Sequence, residues 1–248
     1  MTKSNLAIIG ESRLAQDLRD LAQEQKIEVR LMPSLGDIAP TTPIVIETWV
    51  GDSEKKTLVL KTLDEFLSPA SVIVTSCLAH STTELASWTK NPHRIVGFAS
   101  FYPLKDRKVI ELAAGMQTSA SAMNLAEQLF DSLGKETIRV KDSPGLTFPR
   151  ILSLIVNEAA RALEEGVASA EEIDIAMKLG VNYPEGPLRW ADQIGLDEIL
   201  AVLEGLQRET GEDRYRPAPL IKKLVIAGLL GETRGKGFYS YNESQVKL

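Results

Sequence analysis

Apolar and β-branched residues gather in short runs through the first part of the chain, at 6–9, 27–32, 43–48, 71–75, 94–100, 108–113 and 137–141. Each run has the length of a buried strand. Between several of them, at 12–25, 52–67, 82–89 and 120–133, apolar residues return at helical spacing. Short strands alternating with helices predict βαβ units and a largely parallel sheet. In 52–67, Leu58, Lys61, Thr62 and Glu65 form the mixed face of a crossover helix, and Leu58, Leu60, Leu63 and Phe66 are expected to face inward.

The pattern changes at "DSPGLTFPR", residues 142–150, where Pro144, Gly145 and Pro149 end the series of strands. Beyond it no strand is predicted. Ile151, Ile155, Ala159 and Leu163 recur at helical spacing, with Leu152 and Val156 widening the stripe. Ser169 precedes Ala170, Glu171 and Glu172 as an N-cap with carboxylates in the first turn, and Gly180 is expected to close that helix. Further helices are expected at 188–194, 197–210 and 219–230. The chain reads as a Rossmann-like α/β domain over 1–143 followed by an all-α domain over 144–248.

A chain of 248 residues can bury the cores of two such domains. Its formal charge of −6, with no basic block, argues against a nucleic-acid partner, which needs clustered Lys and Arg. A single cysteine, Cys77, excludes an intrachain disulfide and fits a reducing compartment. Residues 1–5 are polar and lead straight into a strand, so no signal peptide is evident, and the apolar runs are too short to span a bilayer. A cytoplasmic location away from membranes is expected.

The first strand–turn–helix, "LAIIGESRLAQDL" at 6–18, stands where a dinucleotide fingerprint G-x-G-x-x-G would lie. Gly10, Ser12 and Ala15 occupy the glycine positions, so only the first glycine is kept. The second normally lets the backbone approach a pyrophosphate, and Ser12 places a Cβ there. The helix N-terminus still favours an anion, partly opposed by Glu11. Gly10, Ser12, Arg13 and Leu14 are the candidate cofactor loop. Where an acidic residue usually closes the second strand stand Leu31, Met32 and Pro33, none able to hold a ribose diol.

The later segments "LEEGVASAEEIDIAMKLG" (163–180), "PEGPLRWADQIGLD" (184–197), "RYRPAPLIKKLVIAGLLG" (214–231) and "GKGFYSY" (235–241) resemble the helical domain of L-3-hydroxyacyl-CoA (3-hydroxybutyryl-CoA) dehydrogenases. The resemblance runs back through "DSPGLTFPRIL", "RIVGF" and "PIVIETWVGDSEKKTLVLKTLDE" and covers nearly the whole chain. It implies an NAD-binding domain, a helical domain that dimerises, and NAD-linked oxidation of L-3-hydroxyacyl-CoA to 3-oxoacyl-CoA. It also places Glu47 and the Lys55–Lys56 pair beside the nicotinamide ribose. Their other reading is a strand-end carboxylate and a solvated helical face.

The family's working groups carry over only in part. Its strand ending G-L-H-F-F-N-P supplies the general-base histidine, and here the segment is Gly97 to Pro103 with Ala99 in the histidine's place. Ala99 cannot move a proton. The glutamate that orients the histidine is matched by Glu111. The polar loop S-N-T-S-S-L corresponds to Ser76 through Ser81, where most of its hydroxyl and amide donors are gone, and Pro149 replaces an asparagine before Arg150. A helical arm that helps cover CoA is reduced to the link 33–42.

The resemblance therefore implies a family member with weak or lost catalysis. Two alternatives stand beside it. One is a non-catalytic binding or assembly partner, dimerising with itself or with an intact paralogue. The other is a changed chemistry in which His80, just past the fourth strand, works with Glu111. Otherwise His80 is a surface-loop residue, His93 a solvated one, Cys77 a small buried apolar side chain and Tyr102 a packing aromatic. No metal-ligand spacing is present.

Overall fold

The computed structural model describes residues 6–33, 38–51 and 53–241. Residues 1–5, part of the 33–42 link and position 52 at the start of a predicted helix lie outside the described residues. The chain divides into two compact units, Met1–Thr147 and Phe148–Leu248.

The first unit is built on seven strands: β1 Leu6–Ile9, β2 Val29–Met32, β3 Ile44–Glu47, β4 Val72–Ser76, β5 Ile95–Ala99, β6 Val109–Ala114 and β7 Glu136–Val140. They form one sheet in the order β2-β1-β3-β4-β5-β6-β7. Every pairing is parallel except β5 with β6. The central strands read as unbroken apolar runs because helices cover both of their faces. On one face, α1 (Arg13–Glu24) and α4 (Ala120–Ser132) bring Leu14, Leu18, Ala126 and Phe130 onto Ile8, Ile46, Val74 and Phe98. The alternate strand residues face α2 (Ser53–Phe66) and α3 (Thr82–Ser87). Gly97 marks how closely α3 approaches, since a Cβ there would lie 2.0 Å from Thr82 Oγ1.

The inward face of α2 differs from the expected one. Lys56, Leu60 and Leu63 are buried, whereas Leu58 is 66% and Phe66 43% exposed. At 100° per residue, positions 56, 60 and 63 share a line and position 58 lies nearly opposite position 60. A lysine thus occupies the apolar stripe, and the reason lies at the functional edge of the sheet.

The second unit is helical: α5 Phe148–Glu164, α6 Ala170–Val181, α7 Pro187–Ile194, α8 Leu196–Thr210 and α9 Pro219–Ile226. The buried line of α5 runs through Leu152, Val156 and Ala160, while Ile151, expected on it, is exposed. Ser169 caps α6 in a full capping box with Glu172. The helix does not stop at Gly180. It continues to Val181 and ends on Asn182, which takes the left-handed conformation (φ 57°) that asparagine tolerates best after glycine.

Asp192 of α7 is fully buried and holds the closing loop: it accepts hydrogen bonds from the N–H groups of Phe238 and Tyr239 (both 2.9 Å) and from the Tyr241 hydroxyl (2.8 Å). Burial pushes its carboxyl up to about 6, against the pull of those donors. A carboxyl that binds its proton more tightly when folded stabilises the fold at low pH. Its contribution is complete below the ordinary carboxylate value and is lost as pH rises through about 6. We expect the wild-type unfolding free energy to carry a pH-dependent component between about pH 4 and 6 that Asp192→Asn removes, on the order of 2–3 kcal/mol. Identical pH profiles for the two proteins would contradict this.

Candidate functional site

In a doubly wound sheet ligands meet the carboxyl ends of the strands. At the end of β1, Gly10 has φ +142° and donates its N–H to Met32 O (3.0 Å). Thr48, just past β3, donates both its N–H and its hydroxyl to Ile9 O, each at 3.0 Å. A Cβ on Gly10 would sit 2.0 Å from Thr48 Oγ1, so this glycine is required by the packing of the turn itself. Ser12 is the N-cap of α1: its hydroxyl accepts from Ala15 N (3.2 Å) and lies 3.5 Å from Thr48 Oγ1. Leu14 is buried in the core. The Arg13 guanidinium lies over the Tyr102 ring, 4.1 Å from its centroid.

Glu47, the last residue of β3, is wholly buried. One carboxylate oxygen accepts from Lys56 Nζ and Thr75 Oγ1, both at 2.5 Å, and the other from Trp49 N at 2.7 Å. Lys56 also donates to Trp49 O (2.7 Å). This explains the lysine in the apolar stripe of α2: it neutralises a buried carboxylate and fixes the backbone just beyond β3. Lys56 is therefore not part of a solvated face. Lys55 is exposed, with its ammonium 3.3 Å from the Trp49 ring centroid.

The antiparallel register of β5 and β6 sets Ala99 directly opposite Glu111. Both are buried, and Glu111 Oε2 accepts from Thr147 N at 2.6 Å. Directly opposed residues on one face bring their Cβ atoms to about 5 Å. A histidine at position 99 would therefore have a carboxylate within side-chain reach. Ala99 offers a methyl group.

Cys77 is a buried thiol that donates to Phe98 O (3.2 Å), and burial raises its pKa far above the ordinary thiol range. Trp49 Nε1, Ser76 Oγ and Ser100 Oγ are buried with no hydrogen-bond partner among the described residues. They come from the carboxyl ends of three adjacent strands, β3, β4 and β5. Buried polar atoms left unmet cost about 1–3 kcal/mol each, so this edge is furnished for a polar ligand or for water.

His80 is not a surface-loop residue: it is 4% exposed. Its Nδ1 lies 2.9 Å from Glu84 Oε1 and its Nε2 3.1 Å from Ser53 Oγ, and Trp88 packs edge-on against the ring. The spacing of His80 and Glu84, one helical turn, was a local signal for their pairing. Ser53, 27 residues earlier, carried none. His93 is exposed, as expected. Pro149 sits in the first turn of α5, where a missing N–H costs nothing.

Comparison with known proteins gives a consistent answer. Residues 5–143 match the family model described as 3-hydroxyacyl-CoA dehydrogenase, NAD binding domain, and residues 145–241 match its C-terminal domain. The chain is 40% identical over 200 residues to a 3-hydroxybutyryl-CoA dehydrogenase of Clostridioides difficile, covering 81% of this chain and 71% of that one. It is 34% identical over 244 residues to a 3-hydroxybutyryl-CoA dehydrogenase of Bradyrhizobium diazoefficiens, covering 96% and 83%. The crystal structure of (S)-3-hydroxybutyryl-CoA dehydrogenase from Ralstonia eutropha superimposes with a TM-score of 0.76 at 33% identity, covering 96% of this chain and 99% of that one.

Proposed function

The chain belongs to the 3-hydroxyacyl-CoA dehydrogenase family, and on that premise we propose that it retains a site for NAD(H) and an acyl-CoA-type ligand but has lost the family's proton transfer. One observation carries this reading: Ala99 stands in register with the surviving Glu111. Bound NAD would supply a hydride acceptor. The chain would then have to take the hydroxyl proton at position 99, and a methyl group cannot. Glu111 instead accepts a backbone N–H from Thr147.

The residues present fit a dinucleotide at the carboxyl edge in part. The turn after β1, the first-turn N–H groups of α1 and the unmet Trp49, Ser76 and Ser100 atoms favour it. Ser12 and buried Met32 oppose it, one by its Cβ and its tied-back hydroxyl, the other by offering no acceptor for a ribose. Glu47 and Lys56 would act by shaping the edge, with Gly10, Ser12, Arg13 and Lys55 nearest the cofactor and Leu14 facing it only with its backbone, its side chain being in the core. An NADH fluorescence titration tests the binding half: saturable binding is expected, several-fold tighter in Ser12→Gly. No binding to either protein at millimolar NADH would overturn it.

Association through the helical unit belongs to the same proposal. Ile175 and Leu179, one turn apart on α6, are 56% and 83% exposed, an apolar strip that a second copy or a paralogue would cover. Light scattering should return twice the chain mass. A monomer at micromolar concentration would contradict self-association. A cytoplasmic location is part of the reading. No helix among the described residues is long and apolar enough to cross a membrane.

A further inference from the structure

The dehydrogenase reading leaves the surroundings of His80 unused. There a buried imidazole is held between a carboxylate on Nδ1 (Glu84 Oε1, 2.9 Å) and a serine hydroxyl on Nε2 (Ser53 Oγ, 3.1 Å). The Trp88 ring, 5.0 Å away and steeply inclined, fixes the imidazole plane. The carboxylate beside Nδ1 holds the proton on that nitrogen, so in the neutral imidazole Nε2 presents its lone pair to the serine O–H. Ser53 itself is exposed, at the start of α2. It opens on a shallow, largely open groove along the exposed face of α2, bounded by Ser53, Glu54, Thr57, Leu58 and Lys61. Leu58, two-thirds exposed, offers an apolar wall that the core does not use.

A hydroxyl at a surface groove, backed by an imidazole whose far nitrogen is held by a carboxylate, is the arrangement of an activated nucleophile. We propose that Ser53, His80 and Glu84 form a nucleophilic triad that hydrolyses short-chain acyl esters or thioesters in the groove along α2. Ser53 Oγ attacks the acyl carbon as its proton passes to His80 Nε2, and Glu84 stabilises the imidazolium. The bond from the acyl carbon to the leaving oxygen or sulfur then breaks, and Nε2 returns the proton to the leaving group. Solvent water adds to the acyl-serine and gives its proton to Nε2. The acyl carbon–Oγ bond breaks, Oγ takes that proton back, and the carboxylic acid departs. No oxidant or reductant is consumed, and the site shares no residue with the Ala99–Glu111 edge, so this inference stands apart from the dehydrogenase reading.

The test uses the full chain with p-nitrophenyl acetate and with a fluorophosphonate probe followed by peptide mass spectrometry. Wild type should hydrolyse the ester saturably and carry the probe on Ser53. Ser53→Ala and His80→Gln should each lower the rate by about 100-fold or more. Glu84→Gln should lower kcat while leaving KM nearly unchanged. Ser53 is exposed, so its replacement leaves the core intact. Circular dichroism checks His80→Gln, and the covalent label reads the nucleophile in unmutated protein. Hydrolysis by wild type no faster than by Ser53→Ala, or a label on another residue or on none, would overturn the proposal and leave the three residues as a clamp between α2 and α3.

Discussion

Ala99→His combined with Pro149→Asn is expected to raise the rate of acetoacetyl-CoA reduction by NADH at least about 100-fold over wild type, the lower end of what a placed general acid or base contributes. The expectation rests on the β5–β6 register, which already sets Glu111 opposite the new imidazole. The added activity should follow the titration of a histidine, a signature that a general change in packing would not produce. Position 99 is buried, and the larger side chain will cost stability, about 1–3 kcal/mol for overpacking. The rate should therefore be read well below the melting temperature. A folded double variant that binds NADH yet turns over no faster than wild type would show that the changed residues of the 76–81 loop or the short 33–42 link, rather than position 99, block the reaction.

Lys56→Met is expected to destabilise the first unit by about 3–5 kcal/mol, because it leaves the Glu47 carboxylate buried without its counter-charge. It also frees Trp49 O, and with it the backbone at the end of β3, so NADH binding should weaken in parallel. The double variant Glu47→Gln, Lys56→Met should recover most of the loss, since two neutral side chains remove the unpaired charge. Urea unfolding of the single and double variants measures both quantities. A loss below about 1 kcal/mol for Lys56→Met would mean that water reaches Glu47.

The fold was legible in the sequence because it is written in local patterns. Strands such as 72–76 open on apolar, β-branched runs, and Ser169 with Glu172 spells a capping box in four adjacent residues. The change at position 99 was also legible, because the family's motif is linear and the histidine's place can be counted from Gly97 and Pro103 at its ends. What failed were readings that depend on tertiary partners. The face of α2 was misjudged because its buried stripe begins with Lys56, whose partner Glu47 lies on another element. Ile151 was counted inward on spacing alone, though the elements that α5 packs against select the line through Leu152 and Val156. His80, a loop residue, looked exposed because its serine partner is 27 positions away. The unmet hydroxyls of Ser76 and Ser100 have no sequence signature, since serine is ordinary in a loop and unusual only when buried without a partner.

The central claim is that this family member keeps its cofactor edge and lacks proton transfer at position 99. Its most direct test is NADH oxidation by the wild-type chain with acetoacetyl-CoA, at NADH saturation established by fluorescence, beside an active 3-hydroxybutyryl-CoA dehydrogenase. The account predicts bound NADH oxidised at least about 100-fold more slowly than in the active enzyme. Oxidation within about tenfold of that enzyme would show that another group moves the proton, and would contradict it.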